Sequence, residues 1–552
     1  MKRWRRILFG AAVVVLALWL GGRLLLHSWF ARPPPLPAEA AMVLQRTVVE
    51  HDGKRWVGRC WLGEREGLSV LYLTGTPFEI GYANGLLTQD RIHRLEDAAI
   101  NLAHRWVPHE WALELLKDYV VYRNRHLPKF VTLRYQIELL GMIHGCPDVH
   151  PEIGPYFARV LCYHAAHDIS YMLIDNPLVA VGGCTAFGAW GDATAGGHLV
   201  TGRNFDWEAD PVFDRDRLLV MCEPDEGIPF ISLSWAGMVG VVSGMNRAGV
   251  SVTLNGAPSE LPKEVGTPAA LVARDILQHA HNLTEATTIL REAHVFVSTL
   301  WLVGSRVDGR FIVVEKTPEC THVRESRGDE IVCANHFLTD GLKDVLRNVK
   351  FTSESTSSAR YTRMSELLEN SRGKLTIPRT VEILRDRNLV GGVFAGDGHR
   401  SSLNAFIATH STAMDLTDGL IWAASPPRQL GKFVAFDVND FSRQLPGQTV
   451  PADAVLTSNE FARYEQAQKC LSDAQHALKQ GDSATALSLA EQAETLNPGF
   501  YQNAALKGRA LLALGRQEEA THAFTAALAG KPSFAKERRE LELLLEQART
   551  RH

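Results

Sequence analysis

A cysteine directly after two glycines opens the stretch GGCTAFGAWGDATAGGHLVTGRNFDW, which begins at Gly182. A cysteine can act as an N-terminal nucleophile if its own amide bond is broken, because the freed α-amine then serves as the general base. This requires self-cleavage between Gly183 and Cys184. The thiol would attack the Gly183 carbonyl, form a thioester and lose the upstream peptide to water. A cysteine taken alone is more often a buried strand residue, so the neighbours of Cys184 decide between the two interpretations.

The region from Cys184 to about Val438 consists of short β-rich runs. These runs are CTAFGAWG, HLVTGRNFDW, RLLVMCEP, PFISLSWAG, GVSVTLNGA, STLWLVGS, RFIVVEK, LNAFIATH, GLIWAAS and KFVAFDV. Helices are predicted between them at residues 268–281, 284–293, 357–369 and 378–387. Many strands with helices in blocks predict a layered α+β catalytic domain over residues 184–445.

Residues 45–183 differ in pattern from the region that follows. They begin with two β-like runs, Trp56 to Leu62 and Ser69 to Leu73. Helical segments follow, such as Ile92 to Trp106 and Lys129 to His144, in which apolar residues recur every three or four positions. We therefore predict a mainly helical pro-region that stays associated after cleavage.

The N-terminus predicts export. The basic sequence MKRWRR precedes an uncharged, mostly apolar run from Ile7 to Gly22, and the positive-inside rule keeps the basic end in the cytoplasm. We expect a single-pass signal anchor at residues 1–30 in the inner membrane, with the body of the protein on the periplasmic side. A Pro-rich linker follows at residues 31–44. Because the run is short for a spanning helix, a cleavable signal peptide is the alternative.

The C-terminal residues 460–552 contain an internal repeat, in which matching residues recur at the same distance along the chain. Gly481 and Gly515 are one pair at this spacing, and so are Ala486 and Ala520, Ala493 and Ala527, and Pro498 and Pro532. The spacing is typical of tetratricopeptide repeats, whose units are about 34 residues long, and residues 535–549 would be their capping helix. The alternative is an unrelated helical hairpin tail. We expect removal of the chain from about Ser458 onward to spare cleavage at Cys184.

Composition excludes several classes of protein. A net charge of -4 without a basic stripe argues against a nucleic-acid partner. The cysteines form no CxxC pair and no Cys/His grouping of zinc spacing, so neither a metal nor a cofactor is predicted. Two histidine pairs, His164 with His167 and His279 with His281, lack an accompanying carboxylate pattern and fit surface or capping histidines better.

The order Gly-Cys-Thr…Gly-Arg-Asn-Phe-Asp-Trp resembles the start of the catalytic subunit in N-terminal-nucleophile (Ntn) hydrolases of the choloylglycine hydrolase and acid ceramidase type. It is most similar to the branch that contains acyl-CoA:6-aminopenicillanate (isopenicillin N) acyltransferase. Upstream, GTPFEIGYANG and IELLGMIHG resemble segments of that branch, and downstream GMNRAGVSVTLNG, VCANHF and SARYTRM follow in the family's order. The resemblance implies a four-layer αββα sandwich.

The resemblance also implies roles for individual residues. Cys184 would be the nucleophile, and its new α-amine would be the base. Arg203 and Asp206, on the strand paired with the nucleophile strand, would position and polarise the amine and the thiol, since a nearby guanidinium favours the thiolate. An ordinary ion pair between Arg203 and Asp206 is the alternative.

Three further residues match the family's motifs. Asn255 would donate its side-chain amide to the oxyanion, Asn335 would orient the substrate and the amine, and Arg360 would be the distal arginine. Each has a structural alternative: Asn255 would turn a strand into Gly256, Asn335 would cap the next segment, and Arg360 would lie on a solvated helix face.

The predicted reaction is acyl transfer through a Cys184 thioester, with an acylated small-molecule amide or thioester as donor and water or an amine as acceptor. Hydrolysis of an N-acyl amide is preferred, because coenzyme A donors are scarce outside the cytoplasm. Aromatic residues that could line an acyl pocket, or pack in the core instead, are Tyr82, Trp190, Trp207 and Trp235. The alternative function is a non-catalytic envelope scaffold whose repeats bind a protein partner.

Overall fold

The structure, a computed structural model, describes residues 32–166, 168–169, 183–208, 210–260 and 263–550. The predicted anchor at residues 1–30 lies outside these ranges. Within them, no helix is both long enough and apolar enough to cross a membrane.

Strands are numbered in chain order. They are β1 (Val49–His51), β2 (Lys54–Val57), β3 (Cys60–Arg65), β4 (Leu68–Gly75), β5 (Gly183–Gly191), β6 (Gly197–Asp206), β7 (Arg217–Pro224), β8 (Phe230–Trp235), β9 (Ser243–Asn246), β10 (Val250–Gly256), β11 (Thr299–Ser305), β12 (Arg310–Lys316), β13 (Thr321–Arg324), β14 (Glu330–Cys333), β15 (Ala408–Asp415), β16 (Leu420–Ala424) and β17 (Phe433–Asp437).

Helices longer than one turn are numbered in the same way. They are α1 (Pro77–Trp106), α2 (Glu110–Asn124), α3 (Leu133–Gly145), α4 (Tyr156–His164), α5 (Ala269–His279), α6 (Leu283–Glu292), α7 (Leu346–Glu354), α8 (Ser357–Glu369), α9 (Ile377–Leu384), α10 (Glu460–Lys479), α11 (Ser483–Leu496), α12 (Tyr501–Ala513), α13 (Gln517–Ala529) and α14 (Ala535–Thr550).

The strands form two sheets that pack face to face. The larger has 11 strands in the order β1-β2-β3-β4-β7-β8-β9-β10-β11-β12-β13, and the smaller has six in the order β14-β5-β6-β15-β16-β17. Apolar side chains from both sheets, such as Leu219 and Phe436, form the core between them. Helices α1, α3 and α5 cover the other face of the larger sheet, and α8 and α9 cover that of the smaller. This is the four-layer order that the resemblance implies.

Residues 45–183, the predicted pro-region, contribute strands as well as helices. Strand β4 pairs in parallel with β7, from Ser69 opposite Leu218 to Gly75 opposite Pro224. Strands β1 to β4 therefore extend the same sheet that contains the catalytic-domain strands β7 to β13. The predicted cleavage site between Gly183 and Cys184 would therefore leave strands of both fragments in the same sheet.

Two glycine pairs explain the segments GYANG and GMIHG. Gly81 and Gly85 on α1 face Gly141 and Gly145 on α3, and the two helix backbones touch at these positions. A Cβ on Gly81 would lie 1.8 Å from the carbonyl oxygen of Glu138, a distance that real Cβ atoms do not reach. Only glycine therefore permits this approach of α1 to α3.

One predicted strand is displaced. The run LNAFIATH, residues 403–410, predicts a strand, whereas β15 begins only at Ala408. Phe406 has a φ of 55°, in the left-handed region, and its N–H donates to the side-chain oxygen of Asn404 instead of to a neighbouring strand. This local turn delays the start of the strand, and β15 then extends to Asp415.

The C-terminal helices α10 to α14 pack as successive hairpins against the segment between α9 and β15. Phe406 contacts Phe461 and Tyr464 of α10, with ring centroids 5.3 and 4.8 Å away. The side chain of Asn497 bonds both the N–H and the carbonyl of Asp397, at 2.8 and 2.9 Å. The helical region thus packs against the predicted catalytic domain.

Candidate active site

Cys184 and Arg203 meet between the two sheets. Strands β5 and β6 are antiparallel, with Cys184 opposite Phe205 and Ala186 opposite Arg203. This register brings Nη2 of Arg203 to 3.6 Å from Sγ of Cys184. Both side chains are buried, and Cys184 is 4% exposed. The pairing of β5 with β6, two strands that are close in the sequence, therefore gives the Cys184 thiol a cationic partner.

Asn335 and Arg360 bind the backbone of Cys184. The N–H of Cys184 donates to Oδ1 of Asn335 at 2.9 Å, and Arg360 Nη1 donates to the Cys184 carbonyl at 2.7 Å. Arg360 also bonds Asn335 Oδ1 at 2.8 Å and the hydroxyl of Thr185 at 2.6 Å. Arg360 is buried, so it does not lie on a solvated helix face. A Cβ on Gly183 would lie 3.3 Å from its guanidinium carbon.

Asp206 lies opposite Gly183 in the β5–β6 register. It is buried, and its Oδ1 has no hydrogen-bond partner among the described atoms. Burial raises the pKa of this carboxyl group to about 6, against the effect of the nearby guanidinium groups of Arg360, Arg400 and Arg203. Asp206 does not form the ordinary ion pair with Arg203 that was the structural alternative, since the hydrogen bonds of Arg203 go elsewhere.

Asn255 is the penultimate residue of β10, and its amide nitrogen is bonded to the neighbouring chain instead of to Cys184. Its Nδ2 donates to the carbonyls of Ala334 and Cys333, at 2.9 and 3.2 Å. These contacts hold the chain that carries Asn335, whose own Nδ2 donates to the Gly256 carbonyl at 2.9 Å. In the uncleaved chain Asn255 therefore supports Asn335, and its role as an oxyanion donor stays a prediction.

Two residues of the site carry no motif and were missed in the sequence. Nη1 of Arg203 bonds Ser243 Oγ, and it lies 3.0 Å from Nε2 of His410. The same guanidinium donates to the backbone carbonyls of Val242, at 2.9 Å, and Leu254. His410 lies on β15, opposite Phe205 of β6. Its position in the site therefore depends on the pairing of two strands that are far apart in the sequence.

The electrostatics of the thiol reflect two opposing effects. Burial raises the pKa of the Cys184 thiol, and the Arg203 guanidinium opposes that rise. Burial likewise lowers the pKa of Arg203, and the neighbouring thiol counteracts it. A cation at hydrogen-bond distance is the arrangement that favours a reactive thiolate.

A cavity of about 1120 Å³ connects Cys184 with the surface. Its walls come mainly from α1, α2 and α4 of the pro-region and are largely apolar. Trp207 and Trp235 line it, as the sequence suggested, whereas Trp190 packs on Phe311 and the Tyr82 hydroxyl binds backbone carbonyls. The cavity is slightly larger than most small-molecule sites, which measure about 300–1,000 Å³.

Among the described residues, the group of side chains that could hold a metal ion does not include Cys184 or Arg203. Ligand atoms of His198, Asp415 and Asp418 lie within 4.8 Å of one another, and His198 forms an ion pair with Asp415 at 2.7 Å. His164 uses both ring nitrogens on the backbone, at Val160 and Val239. His164 is buried, so it is not the surface histidine that the sequence favoured, and His167 lies outside the described residues.

Comparison with known proteins relates the chain to an acyltransferase family. Residues 193–395 match the family model described as acyl-coenzyme A:6-aminopenicillanic acid acyl-transferase. The match supports an amide hydrolase or acyltransferase of the Ntn type in general. The matched range includes Arg203, Asp206, Asn255, Asn335 and Arg360, and Cys184 lies just before it.

Individual relatives are distant. An uncharacterized protein of Archaeoglobus fulgidus is 25% identical over 395 residues, which cover 65% of this chain and 63% of that protein. The chain thus spans a little under two thirds of the length of that relative. The acyl-coenzyme A:6-aminopenicillanic-acid-acyltransferase 40 kDa form of Emericella nidulans is 27% identical over 274 residues, covering 49% of this chain and 70% of the relative.

Solved structures show weaker likeness. The Caenorhabditis elegans N-acylethanolamine-hydrolyzing acid amidase ortholog is 19% identical with a TM-score of 0.31, covering 42% of this chain and 93% of its own. A mutant conjugated bile acid hydrolase of Clostridium perfringens is 14% identical with a TM-score of 0.34, covering 47% and 95%.

Proposed function

We propose that this protein is a self-processing cysteine amidohydrolase that takes a linear N-acyl amide with a long apolar acyl group. Cys184 would be the nucleophile and the acyl carrier. The proposal includes transfer to an amine as a second fate of the thioester, with water as the preferred acceptor.

One observation carries this proposal: the buried thiol of Cys184 and surface residues line the same apolar cavity. Cys184 is 4% exposed, and Leu346, which lines the mouth, is 82% exposed. An apolar chain that enters from the surface can therefore extend toward the thiol. The amide that follows the acyl group would then meet Arg203, Asn335 and the backbone around Cys184.

Maturation would use the same groups. The Cys184 sulfur attacks the Gly183 carbonyl carbon, the C–N bond breaks as the S–C bond forms, and the thiol proton passes to the new amine. Water then hydrolyses the thioester. The hydrogen bond from the Cys184 N–H to Asn335 supports this step, because that N–H belongs to the peptide bond that must break. The hydrogen bond from Arg360 to the Cys184 carbonyl holds the next peptide unit, so Cys184 is fixed on both sides of its Cα.

The decisive experiment is N-terminal sequencing of the purified protein, together with Cys184→Ala and Cys184→Ser. We expect a fragment that begins at Cys184 in the wild type, an intact chain in Cys184→Ala, and slow cleavage with poor turnover in Cys184→Ser, because a hydroxyl is the weaker nucleophile. A wild-type protein that hydrolyses amides while it remains one intact chain would contradict the mechanism.

We further propose that the enzyme works at the extracytoplasmic face of the membrane, attached through residues 1–30. The basic and apolar N-terminal sequence supports this, and so do exposed apolar residues at the cavity mouth, Trp106, Val345 and Leu346. Protease added to intact spheroplasts should digest the body of the protein. Protection of the body until the membrane is permeabilised would place it in the cytoplasm instead.

The C-terminal hairpins are proposed to be tetratricopeptide repeats. Gly481 and Gly515, which occupy equivalent positions in the repeat, both follow a helix with a φ near 80° (83° and 76°), and this supports the same turn in both units. Their concave face would bind a protein partner. Co-purification should lose that partner when the chain is truncated from Ser458.

A further inference from the structure

Arg203 is a buried cation whose side-chain partners are almost all neutral. It bonds the hydroxyl of Ser243, the imidazole of His410 and two backbone carbonyls, in addition to the Cys184 thiol. Of the described side chains hydrogen-bonded to Arg203, only that of Cys184 can become an anion. Because a buried charge needs compensation, this arrangement directs the positive charge of Arg203 toward the sulfur.

His410 is held in a fixed orientation. Its ring packs against those of Phe205 and Trp235, with centroids 5.0 and 5.4 Å away, and its Nε2 is 3.2 Å from Ser243 Oγ. Because Arg203 can only donate, we infer that Nε2 accepts and that the ring proton is on Nδ1, which is buried without a hydrogen-bond partner among the described atoms. Burial, with added repulsion from Arg203 and Arg217, holds the pKa of His410 well below its usual range, and the imidazole is therefore neutral.

We propose that His410 is a positioning residue that aims the Arg203 guanidinium at Cys184 without neutralising it. A carboxylate in the same place would bind the guanidinium more strongly, but it would also cancel the charge that stabilises the thiolate. A neutral acceptor fixes the direction and leaves the charge available. The inference rests on the proposed role of Cys184 as nucleophile.

The other titratable groups around the thiol stay the same when His410 is substituted. They are Asp206 on β6, Arg360 on α8 and the thiol of Cys333 on β14, and Arg217 on β7 acts on His410 itself. A change in thiol ionisation that follows substitution of His410 therefore reports on Arg203.

The test compares two nearly isosteric substitutions, His410→Gln and His410→Glu, which differ in charge. The rate at which iodoacetamide alkylates Cys184 is measured against pH, by mass spectrometry of the peptide that contains it. We expect His410→Gln to stay within about threefold of the wild type. His410→Glu should slow alkylation near neutral pH about tenfold, since one unit of thiol pKa is a tenfold change. Equal rates in the two variants would overturn the proposal.

A second comparison remains if His410→Glu does not fold. His410→Leu removes the acceptor, so it should slow alkylation and lower kcat while KM changes little, whereas His410→Gln should restore both. Equal behaviour of Leu and Gln would also overturn the proposal. His198→Gln is the matched control, because the His198 ring bonds the carboxylate of Asp415 at 2.7 Å instead of Arg203.

Alkylation also separates this inference from the proposed function. The thiol can be alkylated in a chain that neither self-cleaves nor hydrolyses amides. Absence of cleavage with a normal difference between Gln and Glu would contradict the function alone, and normal cleavage without that difference would contradict the role of His410 alone.

Discussion

Asp206 combines burial with a carboxyl group that has an unpartnered oxygen. Because its pKa is raised from 3.8 to about 6, the folded protein holds the proton more tightly than the unfolded chain does. The protonated form therefore stabilises the fold fully below about pH 4, and that stability is lost as the pH rises to about 6. Above this range the buried charge costs on the order of 3 kcal/mol.

Substitution of Asp206 by Asn should accordingly stabilise the uncleaved chain more at pH 7.5 than at pH 4. The background is Cys184→Ala, which cannot self-cleave. Urea denaturation at the two pH values measures the free energy of unfolding, and we expect its gain to be larger at pH 7.5 by up to about 3 kcal/mol. The exposed Asp192→Asn is the control. An equal effect at both pH values would mean that folding does not shift the pKa of Asp206.

Helix α2 presents different faces to the cavity and to solvent. Leu113 is buried and lines the cavity, whereas Leu115 is half exposed and does not. Leu113→Gln should therefore weaken the preference for long acyl chains, and Leu115→Gln should not. In the wild type we expect kcat/KM to rise about fourfold per added methylene, from about 0.8 kcal/mol per buried CH₂. A flat dependence on chain length would exclude the cavity as the acyl site.

The contact between α1 and α3 depends on glycine. Gly81→Ala would place a methyl group against the Glu138 carbonyl and force the helices apart, at a cost of about 1–3 kcal/mol or more. Higher helix propensity of alanine offsets only about 1 kcal/mol. Thermal unfolding measures the difference. The control is Gly328→Ala, where no atom lies within 4 Å of the added Cβ. Equal stability of the two variants would contradict the close contact.

Sequence patterns predict the local secondary structure of this chain, but not which distant segments pair. Alternation in CTAFGAWG and HLVTGRNFDW predicts β5 and β6, and the helix predicted at residues 357–369 has the same bounds in the structure. The pairing of β4 with β7 joins segments on opposite sides of Cys184 that are far apart in the chain, and no periodicity predicts it. His410 enters the site through a similarly distant pairing, so its type alone gave no signal.

The cavity also escaped sequence analysis. The periodicity of Ile92 to Trp106 predicts an apolar helix face, but it does not tell whether that face meets other side chains or an open space. Only the packing of α1, α2 and α4 around Cys184 distinguishes the two. The glycines of GMIHG could be identified as part of a family segment, whereas their contact with α1 required the structure.

The helical region touches the segment that leads to the active site. Gly396 and Gly398 lie against Phe500 and Tyr464, and His399 bonds the Lys531 carbonyl at 2.9 Å. The next residue, Arg400, forms an ion pair with Glu208 at 3.1 Å. Glu208 is two positions after Asp206 of the active site. The sequence alone suggested that the repeats are dispensable for cleavage, and these contacts argue against that expectation.

Truncation from Ser458 should therefore lower stability and slow cleavage at Cys184, because it uncovers Phe406 and releases the segment that carries Arg400. Circular dichroism and a time course of cleavage in the purified precursor measure the two effects. A milder form of the same change is Asn497→Ala, with the exposed Gln492→Ala as its control. Cleavage at the normal rate in a folded, truncated chain would restore the original expectation.

The pairing of β4 with β7 has a consequence for the life of the mature protein. After the proposed cleavage these strands belong to two polypeptides, and the eight cysteines are all unpaired, so no disulfide joins the fragments. Unfolding would release two molecules, and refolding would become a second-order reaction whose yield falls on dilution. Cys184→Ala, still one chain, should refold at a rate independent of concentration. The working lifetime of the mature enzyme would then be governed by how slowly it unfolds.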